Sequence, residues 1–121
     1  VLKQLSKQIN CNGYFIFTFD SGEPNILTAG RMFAPAIGIS EDPVTGNANG
    51  PLGAYLVHHK LVKHDGNKFT FIGKQGETIK RTGYVDVTVY IKNNEPVKVQ
   101  VGGNAVIVFQ TKITIWLKTK Y

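Results

Sequence analysis

EDPVTGNANGPLGAYLVHH, residues 41–59, decides how the rest of the chain is read. Two acids and a proline run into a glycine- and asparagine-rich turn, and an apolar pattern begins almost at once. Leu52, Tyr55, Leu56 and His59 fall at the 3.6-residue spacing of one helix face, with Ala54 and Val57 beside it. Pro51 lies within about one turn of the expected start, where backbone N–H groups have no carbonyl partner to lose. The spacing predicts a helix from Asn47, or just before it, to near Lys60. Thr45 and Asn47 are both good caps.

Both sides of this helix read as strand. YFIFTF (14–19) is a run of aromatic and β-branched residues ended by the turn cluster DSGEPN, and ILTAGRMFA (26–34) is a second run. Gly30 in the latter marks a bulge or a close backbone approach. PAIGISEDPVTG carries turn chemistry without periodicity and reads as a loop. Downstream, KFTFIG (68–73), YVDVTVYIK (84–92), VKVQV (97–101) and AVIVFQTKITIWL (105–117) alternate, separated by turns at KQGE, KNNEP and GGN. In YVDVTVYIK, Val85, Val87, Val89 and Ile91 share one face and Asp86, Thr88, Tyr90 and Lys92 the other, as in a sheet wet on one side. Leu2, Leu5 and Ile9 form the tail of an amphipathic helix. The expected fold is α+β, a mostly antiparallel, curved, barrel-like sheet around one central helix.

With 121 residues, 42% of them hydrophobic, the chain has enough material for one core and too little for two. The single cysteine, Cys11, has no second thiol for a disulfide or zinc and is expected to be packed and inert, in a reducing compartment. Neither a membrane span nor a secretory leader is visible, which reads as a soluble, cytoplasmic protein. Lys and Arg number 14 against 8 Asp and Glu, but they are spread from Lys3 to Lys120. Without a cluster, this excess points to a solvated basic surface and away from nucleic acid. Starting with Val and a helical tail, the chain reads as a piece of something longer.

A helix N-terminus carries unpaired N–H groups and roughly half a positive charge, and so suits a carboxylate or phosphate. Gly46 and Gly50 keep side chains away from such a ligand, and Asn47 adds a donor. Asp42, turned from helical angles by Pro43, is placed to reach the same mouth. The same residues also fit an ordinary turn: Asp-Pro-x-x-Gly is common, and acids at a helix start stabilise by about 0.3–1 kcal/mol without any ligand. His59 and His64 have an H-x4-H spacing but lack the company of a metal motif. VGGNA (101–105) fits a hairpin turn better than a phosphate loop. Arg31 and Arg81 suit either a bound carboxylate or a structural ion pair.

GRMFAPAIGISEDPVTGNANGPLGAYLVHH, KQGETIKRTGYVDVTV and VGGNAVIVF together resemble the C-terminal half of the phenazine-biosynthesis PhzF-like family, and within it the YddE-type bacterial proteins. The E-D-P-x-T-G-[SN]-A core before a helix carries most of the likeness. The resemblance implies a protein about twice this size, with two lobes of the diaminopimelate-epimerase-like fold and an active site between them. Residues 1–121 would be the C-terminal lobe, partnered by a missing N-terminal lobe whose glutamate shuttles the proton, as in relatives that isomerise trans-2,3-dihydro-3-hydroxyanthranilate. By motif, Asp42 is the implied catalytic aspartate, and Thr45, Gly46 and Asn47 the implied substrate-binding residues. Asn47 departs from the commoner serine, which leaves the substrate open. No cysteine stands at the motif, so two-thiol epimerisation is not implied. The expectation is a cofactor-independent isomerase, without metal or organic cofactor, acting on a small carboxylate-bearing metabolite as a homodimer when intact. The alternative is a non-catalytic small-molecule or protein-binding module on the same scaffold.

Overall fold

The computed structural model describes residues 1–115. In chain order the elements are α1 (Leu2–Ile9), β1 (Tyr14–Thr18), β2 (Thr28–Ala34), a 3-10 turn (Pro35–Ile37), β3 (Ile39–Asp42), α2 (Gly46–His58), β4 (Lys68–Gln75), β5 (Gly83–Lys92) and β6 (Glu95–Gly102). They form one sheet, ordered β1-β2-β4-β5-β6, with β3 paired to the far end of β2. Every pairing is antiparallel except β2 with β4, where Thr28, Ala29 and Gly30 run alongside Gly73, Lys74 and Gln75. The sheet curls into a half-barrel against the central helix α2, the α+β lobe expected from the alternation of elements.

Packing follows the alternation of β5. Val85, Val87, Val89 and Ile91 are all buried, and they meet Leu52, Leu56 and Val57 of α2 and Phe71 of β4 in one cluster. Helix and sheet approach closely because Gly53 lacks a side chain. A Cβ there would sit 2.8 Å from methyl groups of both Val87 and Val89. Gly30 has the same use: a Cβ would fall 2.3 Å from the Phe15 ring. It therefore marks a close approach, and the irregularity of β2 lies instead between Met32 and Ala34. The β5–β6 hairpin turns on Asn93 and Asn94, both at positive φ (53° and 63°), with Lys92 facing Glu95. Two left-handed residues in a two-residue loop match the twist of the flanking strands.

Several expectations are corrected. The loop read at PAIGISEDPVTG contains the 3-10 turn and strand β3. Lys74 and Gln75, assigned to a turn, are the last residues of β4 and are buried. The buried face of α2 is Asn49, Leu52, Gly53, Leu56 and Val57 rather than the stripe through Tyr55 and His59. Tyr55 is half-exposed on the open side of the half-barrel and packs edge-on to Phe17 of β1. Helix α1 forms, but Leu2, Leu5 and Ile9 stay at least partly exposed, and Ser6 is its buried residue. Cys11 is only partly buried.

The largest departure is the expected strand 105–117. Residues 105–115 have no regular structure, and 116–117 lie outside the described residues. Val106, Ile107, Val108 and Phe109 are 81–87% exposed. Strand-like alternation needs a neighbouring edge to supply hydrogen bonds, and none of the described residues pairs with this segment. The hairpin expected at VGGNA is accordingly absent among the described residues: β6 runs to Gly102, and none of residues 103–115 pairs back onto it.

Candidate functional site

Asp42 closes β3, opposite Met32 of β2. Its neighbour Glu41 is gripped by Arg31, with Nε donating to Oε1 at 3.0 Å and Nη2 to Oε2 at 2.9 Å. The hydrogen bonds from Arg31 hold the Glu41 carboxyl below its usual range and raise the guanidinium. This pair fixes β3 on β2 and so sets where Asp42 emerges. Pro43 and Val44 then lead to Thr45, the N-cap of α2, whose backbone is extended (φ −125°, ψ 100°).

The Thr45 side chain does not cap the helix. Its hydroxyl donates to Asp42 Oδ2 instead, which brings the carboxyl group to the helix mouth. Gln75, at the end of β4 and 1% exposed, organises the rest. Its Oε1 accepts from the Thr45 amide at 3.1 Å and from Asn49 Nδ2 at 3.0 Å, and its Nε2 donates to the Asp42 carbonyl at 2.7 Å and to Thr45 Oγ1 at 3.0 Å. Asn49 is itself buried, donating to the Thr45 carbonyl at 3.0 Å.

Of the amides a helix leaves unpaired at its start, Ala48 N–H reaches the Thr45 carbonyl and Thr45 N–H reaches Gln75. Those of Gly46 and Asn47 have no acceptor among the described residues. With the positive end of the helix behind them, they leave a small surface of unpaired donors next to the Asp42 carboxyl, of the kind that attracts an anion. Gly46 and Gly50, expected to make room for a ligand, instead make room for β6: a Cβ at either would lie within 3.3 Å of Val101, and at Gly50 within 3.3 Å of Val99 as well. Asn47 is exposed and lines a groove of about 560 Å³ between β1 and α2, whose walls include Phe15, Phe17, Met32, Pro51 and Tyr55.

The structure thus brings Asp42, Thr45 and Gly46 together at the helix mouth, with Asn47 on its outer side. The residue that sequence reasoning missed is Gln75. Its neighbour Gly76 made KQGE look like a turn, although the alternation of KFTFIG could have been extended by two residues. Lys74 is almost fully buried beside it and is held by Glu23 and Glu77, each at 3.0 Å, and by the Ser21 carbonyl at 2.7 Å. Glu77, then Glu23, raises the Lys74 ammonium above its usual range. His58 pairs with Glu95 at 2.7 Å, and His64 Nδ1 accepts from the Gly66 amide. Among the described residues, no cluster of His, Cys, Asp and Glu is arranged to hold a metal, and no helix is long and apolar enough to cross a membrane.

Comparison with known proteins agrees with this architecture. The chain is similar to an uncharacterized isomerase of Clostridium acetobutylicum, 58% identical over 115 residues, which are 95% of this chain and 38% of that protein. It is also similar to the uncharacterized isomerase YddE of Escherichia coli, 53% identical over 116 residues, 96% of this chain and 38% of that protein. The chain therefore spans well under half the length of these relatives, more than the twofold difference expected. Its fold resembles that of a phenazine biosynthesis protein of the PhzF family from Bacillus anthracis, with a TM-score of 0.62 at 24% identity over 79% of this chain and 36% of that one. A family model for phenazine biosynthesis-like protein matches residues 2–111, and the chain belongs to that family.

Proposed function

We propose that residues 1–121 form the C-terminal lobe of a two-lobe isomerase that moves a proton on a small, carboxylate-bearing metabolite, using acid–base groups of the protein. One observation carries this reading: a carboxylate, Asp42, is fastened to the N-cap residue of a helix whose first two amides have no acceptor among the described residues. The amides of Gly46 and Asn47 hold the negative end of the metabolite, and the Asn47 side chain adds a donor at the rim. Asp42 then stands beside the bound molecule as one acid–base partner, and a group from the absent lobe completes the pair. Relatives that carry the name isomerase and exceed this chain in length support both halves of the reading.

The test is hydrogen exchange with solvent. The intact protein is screened in deuterated water against cyclic and amino-acid-like carboxylates, with incorporation at carbon followed by NMR. The expected outcome is incorporation by the intact protein and none by residues 1–121 alone. Turnover by the isolated chain overturns the two-lobe assignment, and an intact protein that exchanges no member of the screen overturns the proton-transfer assignment.

A further inference from the structure

A carboxamide has a direction: its oxygen only accepts hydrogen bonds and its nitrogen only donates them. The direction of Gln75 is dictated by its surroundings. Its Oε1 faces two donors, the Thr45 amide at 3.1 Å and Asn49 Nδ2 at 3.0 Å. Asn49 cannot be reversed without pointing its own oxygen at the Thr45 carbonyl, to which Nδ2 donates at 3.0 Å. Flipping Gln75 would likewise set its nitrogen against those donors and its oxygen against the Asp42 carbonyl, now 2.7 Å from Nε2. At this depth an unmatched polar pair is costly, about 1–3 kcal/mol for each group left unsatisfied.

The consequence reaches the Thr45 hydroxyl. A hydroxyl has one proton to give. Gln75 Nε2 already donates to Thr45 Oγ1 at 3.0 Å, so the hydroxyl proton is directed away from Gln75, and the acceptor in reach is Asp42 Oδ2. We propose that Gln75 is the positioning residue of this site: it aims the Thr45 hydroxyl proton at Asp42 Oδ2 and so reserves Oδ1 for the ligand. Asp42 Oδ1 has no protein partner among the described residues. The ligand group that fits it is a proton donor, an O–H, an N–H or a C–H acidified by a neighbouring carboxylate. The inference rests on the proposed acid–base role of Asp42 only for what Oδ1 meets. The direction of the relay is independent of that role.

The test uses the intact protein, labelled with carbon-13 at the aspartate carboxyl carbons, and reads the displacement of the Asp42 signal between water and deuterated water. The Asp42 signal is assigned by its loss in Asp42→Asn. An exchangeable hydroxyl bonded to the carboxylate gives a displacement, and its removal abolishes it. The expected pattern is a displacement in the parent and in Thr45→Ser, and its loss in Thr45→Val and in Gln75→Glu, whose second oxygen takes the hydroxyl proton for itself. Gln75→Met, of similar volume and without a donor, leaves the hydroxyl free to rotate and should shrink the displacement, and it stands in should Gln75→Glu not fold. A parent without displacement, or a folded Gln75 variant that keeps the parent's displacement, overturns the proposal. An Asp42→Asn protein with full exchange activity would instead overturn the acid–base role, and the two failures are therefore separable.

Discussion

Arg31 holds both oxygens of Glu41, and through that grip β2 fixes the strand that delivers Asp42. Planar, two-toothed pairing of this kind is specific to arginine. Arg31→Lys should therefore loosen β3 although the charge is kept. Glu41 has a folded-state pKa lowered by the arginine. Its contribution is present above the unfolded value, about 4.3, and is lost as pH falls through the lower folded value. Thermal unfolding of the parent and of Glu41→Gln, followed from neutral to acid pH, should show the parent's advantage shrinking below about pH 4. An advantage that grows on acidification would contradict the assignment.

Asp42→Asn should separate chemistry from stability. The amide oxygen still accepts from the Thr45 hydroxyl, so the stability loss should be about 1 kcal/mol or less. Loss of an acid–base group should lower kcat of the intact protein by about 10²–10⁴. Deuterium-exchange rates and denaturant unfolding of the same preparation check both numbers.

Gly53→Ala tests the fit of helix to sheet. Alanine improves helix propensity by up to about 1 kcal/mol, yet its methyl would meet Val87 and Val89 at 2.8 Å. Overpacking of this kind costs about 1–3 kcal/mol, and the net change should be destabilising. Adding Val89→Ala should cost less in the Gly53→Ala background than in the parent, because the two side chains compete for one space. A double-mutant cycle in urea measures the coupling.

The tight β5–β6 turn gives a sharper local test. Asn94→Val should lower stability by about 1–2 kcal/mol, since a β-branched side chain resists the left-handed backbone. Asn94→Gly should be neutral or better. Thermal midpoints of the two proteins should fall on opposite sides of, or one at, the parent value.

Residues 105–115 should contribute little to the stability of this lobe. Ile107→Lys with Phe109→Lys changes side chains that are 87% and 81% exposed, so unfolding free energy should move by about 0.5 kcal/mol or less. Solubility should rise, because an exposed apolar stretch of this kind promotes association. A large loss of stability would mean that the segment packs against the lobe.

The core was readable because its signal is periodic. Val85, Val87, Val89 and Ile91 announce a half-buried strand, and Leu52 with Leu56 announces the helix, whatever the tertiary context. The buried face of α2 was misjudged by about a quarter turn, since the open side of the half-barrel leaves Tyr55 and His59 uncovered, and helical periodicity alone cannot say which side that is. The acid at the helix mouth was visible in the order Asp42-Pro43-x-Thr45-Gly46. Its organiser was not. Gln75 lies 30 residues beyond Thr45 and meets it only because β4 docks parallel to β2. Residues 105–115 failed for the opposite reason: local pattern was strong, but a strand exists only with a neighbour.

The parallel docking of β4 beside β2 has a further consequence for how this lobe is made. Chain between two parallel neighbours must travel back the length of the sheet, and here that return path carries α2 and every residue of the proposed site except Gln75. The cradle for the helix cannot exist until β5 and β6 have been synthesised and have zipped onto β4. The site is thereby stitched to the scaffold at both ends, and residues 43–48 are not free to vary: Gly46 must leave room for Val101, and Thr45 must meet Gln75.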